Sequence, residues 1–137
     1  GADAGRALFP EGEDLAVTYT SSGRPRQVRA ESGRLVTYNT VGRFTLGVAG
    51  GKRLQDALPS PNYRVVVGDE SEPFVRDGRN VFAKFVHEVD DGIRPYDEVI
   101  VEHADGGLLA VGRAELSGDA MLDFETGMAV HVRDAVP

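Results

Sequence analysis

Cysteine is absent from this 137-residue chain, so it has no disulfide framework, no thiolate nucleophile and no cysteine-ligated zinc or iron–sulfur cluster. Lysine is scarce: Lys52 and Lys84 are the only two, and the remaining 13 of the 15 cationic residues are arginine. No apolar run approaches the roughly 18 residues that a membrane span needs, and the opening Gly1-Ala2-Asp3-Ala4-Gly5 has no basic segment leading into an apolar one. A cytoplasmic protein without a membrane partner is expected. An initiator methionine is missing as well, and the polar, glycine-rich opening reads as the edge of a piece of a longer protein.

The length allows one ordinary domain or two minimal ones. A formal charge of −7 argues at first against a polyanionic partner, but the charge is unevenly placed. Residues 1–67 carry nine Arg/Lys against six Asp/Glu, whereas residues 68–137 carry six against sixteen. Abundant acid with little lysine points to a protein working in concentrated salt. There the Debye length shrinks to about 3 Å, so distant carboxylates no longer repel a phosphate backbone and arginines at contact range decide binding.

Catalytic constellations fail on spacing. His87, His103 and His131 share no His-Glu-x-x-His arrangement, and Ser71 and Ser117 lack a Gly-x-Ser-x-Gly setting. Gly47-Val-Ala-Gly-Gly-Lys52 has Leu46 where a phosphate loop needs glycine and Arg53 where it needs Ser or Thr. The acidic pairs Asp69-Glu70 and Asp90-Asp91 read as solvated surface rather than as cation sites. No catalytic residue, metal or cofactor is expected in this segment.

Periodicity predicts short strands. Residues 14–20 and 27–30 form a hairpin around Ser21–Pro25, 35–38 and 43–48 form another around 39–42, and a helix over 51–58 is stopped by Pro59. Pro59-Ser60-Pro61-Asn62 is the linker candidate, dividing a small α+β domain (1–62) from a second domain (63–137). The second begins with a strand at 63–67 and a helix at 71–78, with Ser71 as cap and Gly78 as terminator. Strands at 80–86, 98–102, 108–115 and 129–133 follow, with a helical turn at 118–124. The expected fold class is α+β to mainly β, the second domain being a partly open β-barrel with two short helices.

The run Glu72-Pro-Phe-Val-Arg-Asp-Gly-Arg-Asn-Val-Phe-Ala-Lys-Phe-Val86 is followed by Ile93-Arg-Pro-Tyr-Asp-Glu-Val-Ile-Val101, Leu109-Ala-Val-Gly-Arg-Ala114 and Gly127-Met-Ala-Val-His-Val-Arg133. Together they resemble the PUA domain that ends archaeal tRNA-guanine transglycosylases. Gly23-Arg-Pro-Arg-Gln-Val28, Gly42-Arg-Phe-Thr-Leu46, Lys52-Arg-Leu54 and Arg64-Val-Val-Val67 are similar, less specifically, to the small domain preceding it in those enzymes. The resemblance implies a tRNA partner. Full-length members exchange a guanine at position 15 of the D-arm on the way to archaeosine, and their terminal domains grip the acceptor stem and 3′ CCA end. It also implies a catalytic domain elsewhere, in cis or in trans, carrying the aspartate nucleophile and zinc site; a homodimeric parent is compatible with it. Archaeosine synthase carries similar terminal domains, and a stand-alone adaptor binding RNA or a protein subunit is the alternative of another class.

The residues themselves suit RNA, whose A-form stems are read through shape, phosphates and 2′-hydroxyls and whose single-stranded ends are read by stacking. Arg76, Gly78, Arg79 and Asn80 stand where the first helix of the second domain breaks into a strand. There a glycine lets backbone amides approach phosphate and guanidiniums can chelate it. Lys84, at even spacing from Phe82, is expected on the same strand face as that residue, and Arg133 on the last strand is expected to join the surface through barrel closure. Phe82 and Phe85 are expected in the core. Arg24, Arg26, Arg29 and Arg34 make a basic hairpin that either touches RNA or is a solvated edge strand.

Overall fold

Two sheets organise the chain, and two strands of one of them serve the cores on both of its sides. A computed structural model describes residues 2–39, 43–124 and 126–137. The first unit starts with helix α1 (Ala2–Leu8), then strands β1 (Ala16–Tyr19), β2 (Pro25–Ala30), β3 (Gly33–Tyr38) and β4 (Phe44–Leu46), and helix α2 (Val48–Ala57). Its four strands form an antiparallel meander in chain order. Helix α1 was not expected; its Ala4 and Leu8, four residues apart on one helix face, are buried in the core of this unit with Leu54 of α2. The last three positions of the turn expected at 39–42 lie outside the described residues.

Helix α2 begins at Val48, three residues before the expected start, because Gly50 and Gly51 are inside it rather than ahead of it. Each glycine is a point of close approach. A Cβ on Gly50 would stand 2.2 Å from the carbonyl oxygen of Leu35 on β3, and one on Gly51 would stand 2.4 Å from Cγ1 of Val111. The consequence is a reversal of the usual propensity order: alanine is the better helix former by about 1 kcal/mol. Even so, Gly50→Ala is expected to destabilise the chain by about 1–3 kcal/mol, as overpacking does. Urea denaturation measures it; a rise in the transition midpoint would show that β3 yields to the added methyl group.

The second unit holds strand β5 (Arg64–Val67), helix α3 (Glu72–Arg76), strand β6 (Val81–Phe82), a 3-10 turn (Ala83–Phe85), and strands β7 (Val86–Val89), β8 (Glu98–His103) and β9 (Leu108–Ala114). Helix α4 (Gly118–Asp123) and strand β10 (Met128–Ala135) complete it. Six strands form one mixed sheet in the order β6-β10-β9-β8-β5-β7, with β5 and β8 parallel. The two edge strands, β6 and β7, are separated in the chain only by the 3-10 turn. The sheet must therefore curl until its edges meet there, which makes the nearly closed barrel. This turn replaces the single strand expected over 80–86, so Phe82 and Lys84 do not share a strand face.

Val65, Val67, Val99, Val101, Leu109 and Val130 fill the barrel. Ile100 and Val111 point the other way, into the core made by α1, α2 and the meander. Strands β8 and β9 are thus covered on both faces, and the alternation that leaves one side of a sheet wet is lost. No helix among the described residues is long and apolar enough to cross a membrane.

Candidate nucleic-acid interface

Helix α3 ends in a Schellman turn: the Gly78 amide donates to the carbonyl of Val75 (2.9 Å) and the Arg79 amide to that of Phe74 (3.0 Å). Gly78 has φ +88°, which explains the glycine, and open space where a Cβ would be. Both amides at the corner are spent on the helix's own carbonyls. The corner therefore offers no backbone donors from Gly78 or Arg79, contrary to expectation, and its donors are side chains. Ser71 stands at the N-cap position but its side chain makes no capping bond.

Arg79 is 68 % exposed, 3.6 Å from Asp77 Oδ2 and 5.9 Å from the ring centroid of Phe74. Lys84 is also exposed, its Nζ 5.0 Å from the ring centroid of Phe85. The others are tied inward. Arg76 donates through Nε and Nη2 to Glu72 Oε2 (3.3 and 3.1 Å) and through Nη1 to the carbonyl of Val136 (3.2 Å), fastening α3 to the residues after β10. Asn80 accepts the Val132 amide at Oδ1 (2.9 Å), extending the β6–β10 pairing by one side-chain bond. Arg133 pairs through both terminal nitrogens with Glu98 on β8, Nη2 reaching Oε2 at 3.0 Å. The same carboxylate accepts the amide of Leu46 on β4 (2.7 Å).

Two aromatic side chains near the corner were missed or misplaced by sequence reasoning. Phe74 on α3 and Phe82 on β6 are about half exposed, at 54 % and 48 %, so Phe82 is not a core residue. The 3-10 turn after Phe82 breaks the alternation that would have turned it inward; Phe85 is half-buried. On the first unit, Arg24, Arg26 and Arg29 are exposed on the β1–β2 hairpin, and Arg29 Nε donates to Gln27 Oε1 (3.3 Å). Arg24 and Arg26 border a groove of about 1110 Å³ whose walls include Val17, Tyr19, Val28 and Tyr38. Arg34 has left the hairpin's surface: it donates to the carbonyls of Thr45 and Leu46 and to Asp134 Oδ2 (2.9 Å) on β10.

Beyond the opposite end of α3 lies a second polar cluster. His103, at the end of β8, is nine-tenths buried, with Nε2 2.7 Å from Asp69 Oδ1 and Nδ1 3.0 Å from the amide nitrogen of Asp105. The Asp69 carboxylate raises its pKa above the ordinary imidazole value, against the opposing pull of burial and with help from Asp105. Asp105 is held below the usual carboxylate range, chiefly by the Gly107 amide.

Comparison with known proteins follows this geometry. The profile of the PUA domain matches residues 63–136, and that of the patch-forming domain C2 of tRNA-guanine transglycosylase matches residues 1–61. The tRNA-guanine(15) transglycosylase of Pyrococcus furiosus is 47 % identical over 137 residues, covering 99 % of this chain and 23 % of that protein. The chain spans about a fifth of the length of such relatives. Among solved structures, hypothetical protein PH0734.1 of Pyrococcus horikoshii superposes with a TM-score of 0.68 at 23 % identity, over 95 % of this chain and 78 % of that one. A conserved PUA domain protein of Thermoplasma acidophilum superposes with a TM-score of 0.66 at 25 % identity, over 98 % and 84 %.

Proposed function

Since the chain belongs to the PUA domain family, we propose that it is the tRNA-binding segment of an archaeosine-forming tRNA-guanine transglycosylase, divided at residue 62 into a small α+β domain and the PUA domain. It docks the acceptor stem and 3′ CCA end while a catalytic domain outside these residues exchanges the guanine at position 15. The observation that carries this reading is the 47 % identity to the Pyrococcus furiosus enzyme over the whole chain, with both units in the same order. Arg79 and Lys84 meet phosphates, and the exposed rings of Phe74 and Phe82 offer stacking faces to unpaired bases. Arg76, Gly78, Asn80 and Arg133 hold that surface in place through the bonds described above. Arg24, Arg26 and Arg29 form a second contact on the stem.

Fluorescence anisotropy with intact tRNA and with tRNA lacking CCA, at several salt concentrations, tests this. Loss of stacking at about 1–3 kcal/mol per base predicts binding weaker by roughly tenfold or more without the end. Arg79→Ala is expected to weaken binding to intact tRNA about fivefold and to reduce the slope of log affinity against log salt by about one. Equal affinity for both tRNAs removes the end-recognition claim; an unchanged salt slope moves the phosphate contact elsewhere.

The solved Thermoplasma acidophilum protein favours a second reading, because there the same arrangement covers 84 % of a chain. In that case the segment is an adaptor working apart from any transglycosylase. A reading frame extending several hundred residues upstream, with a cysteine-bearing zinc motif, decides for the first reading.

A further inference from the structure

One buried imidazole and two carboxylates converge beside α3, brought together by the fold from two separate segments, the stretch from Asp69 into α3 and the end of β8. We propose that Asp69, Glu72 and His103 form a binding site for a divalent first-row transition cation such as Zn²⁺, with Asp105 orienting the histidine. One ligand atom from each of the three residues lies within 4.8 Å of the other two. Around a tetrahedral zinc with bonds of about 2.0–2.2 Å, paired ligands stand about 3.3–3.6 Å apart, so the carboxylates must shift, Asp69 drawing back from its present 2.7 Å to Nε2. A small rotation closes the difference, and the groups that must rotate can do so: the Asp69 side chain is 92 % exposed and that of Glu72 is about one-third exposed. His103 does not need to move.

The imidazole has a carboxylate on its far side, the kind of partner that metal-bound histidines commonly have. The Asp105 amide donates to Nδ1 (3.0 Å), so the neutral, unliganded ring carries its proton on Nε2 and donates it to Asp69; the Asp105 carboxylate Oδ1, also 3.0 Å from Nδ1, is the acceptor for a proton moved there. When a cation binds at Nε2, the ring proton moves to Nδ1 and is donated to the Asp105 carboxylate, giving the carboxylate–histidine–metal arrangement. A cation takes the place of the proton between Nε2 and Asp69, and any proton displaced from a doubly protonated ring leaves to solvent. Arg76 occupies only Oε2 of Glu72, and a carboxylate accepts at both oxygens. The Gly107 amide donates to Asp105 Oδ1 (2.8 Å), which fixes the outer carboxylate as well. An imidazole in the donor set favours Zn²⁺, Co²⁺ or Ni²⁺ over Mg²⁺ and Ca²⁺, which take oxygen ligands. Three protein ligands leave a position open toward solvent on the Asp69 side.

Calorimetric titration of the 137-residue chain with ZnCl₂, with Co²⁺ absorption as a second readout, is the test. Expected are saturable binding of one equivalent, visible Co²⁺ bands, and no displacement by millimolar Mg²⁺. Asp69→Asn and Glu72→Gln are each expected to weaken Zn²⁺ binding at least tenfold, and Asp105→Asn to weaken it by a similar factor without removing a ligand. Asp69 is on the surface, so its variant keeps the fold, and an unchanged melting temperature in EDTA verifies that. Absence of saturable binding, or a stoichiometric affinity that Asp69→Asn and Glu72→Gln both leave intact, overturns the site.

Discussion

Arg64→Met is expected to lower the unfolding free energy by about 3–5 kcal/mol and the melting temperature by roughly 10 °C or more, the largest loss among single substitutions considered for this chain. The side chain is 5 % exposed, yet every one of its five N–H groups is matched. Nε donates to Glu102 Oε2 (2.7 Å), Nη1 to the carbonyls of Pro59 and Asn62 (both 3.1 Å), and Nη2 to those of Gln55 (2.7 Å) and Leu58 (3.0 Å). Gln55 and Leu58 belong to the C-terminal end of α2, where unpaired carbonyls and the helix dipole both favour a cation. Methionine fills the space but leaves a buried carboxylate with only Gln55 Nε2 (3.1 Å) as its partner and takes a donor from four carbonyls, of which that of Pro59 keeps the Asn62 amide (3.0 Å). Lysine keeps the charge with three donors instead of five, so Arg64→Lys is expected to recover part of the loss. The double variant Arg64→Met/Glu102→Met is not expected to restore stability, because the carbonyls of Gln55, Leu58 and Asn62 still lack the guanidinium donor. Chemical denaturation of the three variants decides it; wild-type stability in the double variant would reduce the role of Arg64 to its ion pair alone.

Glu98→Ala is expected to cost about 2–4 kcal/mol. This carboxylate, 8 % exposed, receives the Arg133 guanidinium and the Leu46 amide together, so one truncation opens a bond within the barrel sheet and another to the meander. The cost stays below that of Arg64→Met because Arg133 is 28 % exposed and water can reach it. The companion variant Arg133→Ala separates two roles for that arginine. As a strut, it is expected to lower the denaturation midpoint while leaving the salt slope of tRNA binding unchanged. A reduced slope at unchanged stability would make Arg133 a phosphate contact.

The contrast between Arg79 and Arg133 shows how much of the candidate site was legible in the sequence. Gly78 as a helix terminator, with Arg79 just past it, is a local signal: the Schellman turn needs a residue at positive φ, and whatever follows is turned outward. The role of Arg133 depends on Glu98, 35 residues away and two strands across the sheet, and spacing carries no record of that pairing. Arg64 was hidden for the same reason, its partners being carbonyls that any residue could supply. Within the fold, β8, β9 and β10 were legible to within about two residues, because β-branched and small apolar residues run between glycine-marked turns. Helix α1 was not, since Ala4 and Leu8 make a stripe too narrow to stand out among glycine and aspartate until α2 is beside it. The 3-10 turn at Ala83–Phe85 was lost because Phe-Ala-Lys-Phe alternates like a strand; the need to close the sheet overrides that local pattern.

Ile100 and Val111 give the inner strands of the barrel a second set of neighbours, and Gly51 lets α2 press against them without a gap. The two halves share one packed seam instead of hanging together as two beads on a string. In the proposed docking, an RNA held beside Arg79 and at the β1–β2 hairpin would lie across that seam. Shaving Val111 to alanine is expected to loosen that seam first.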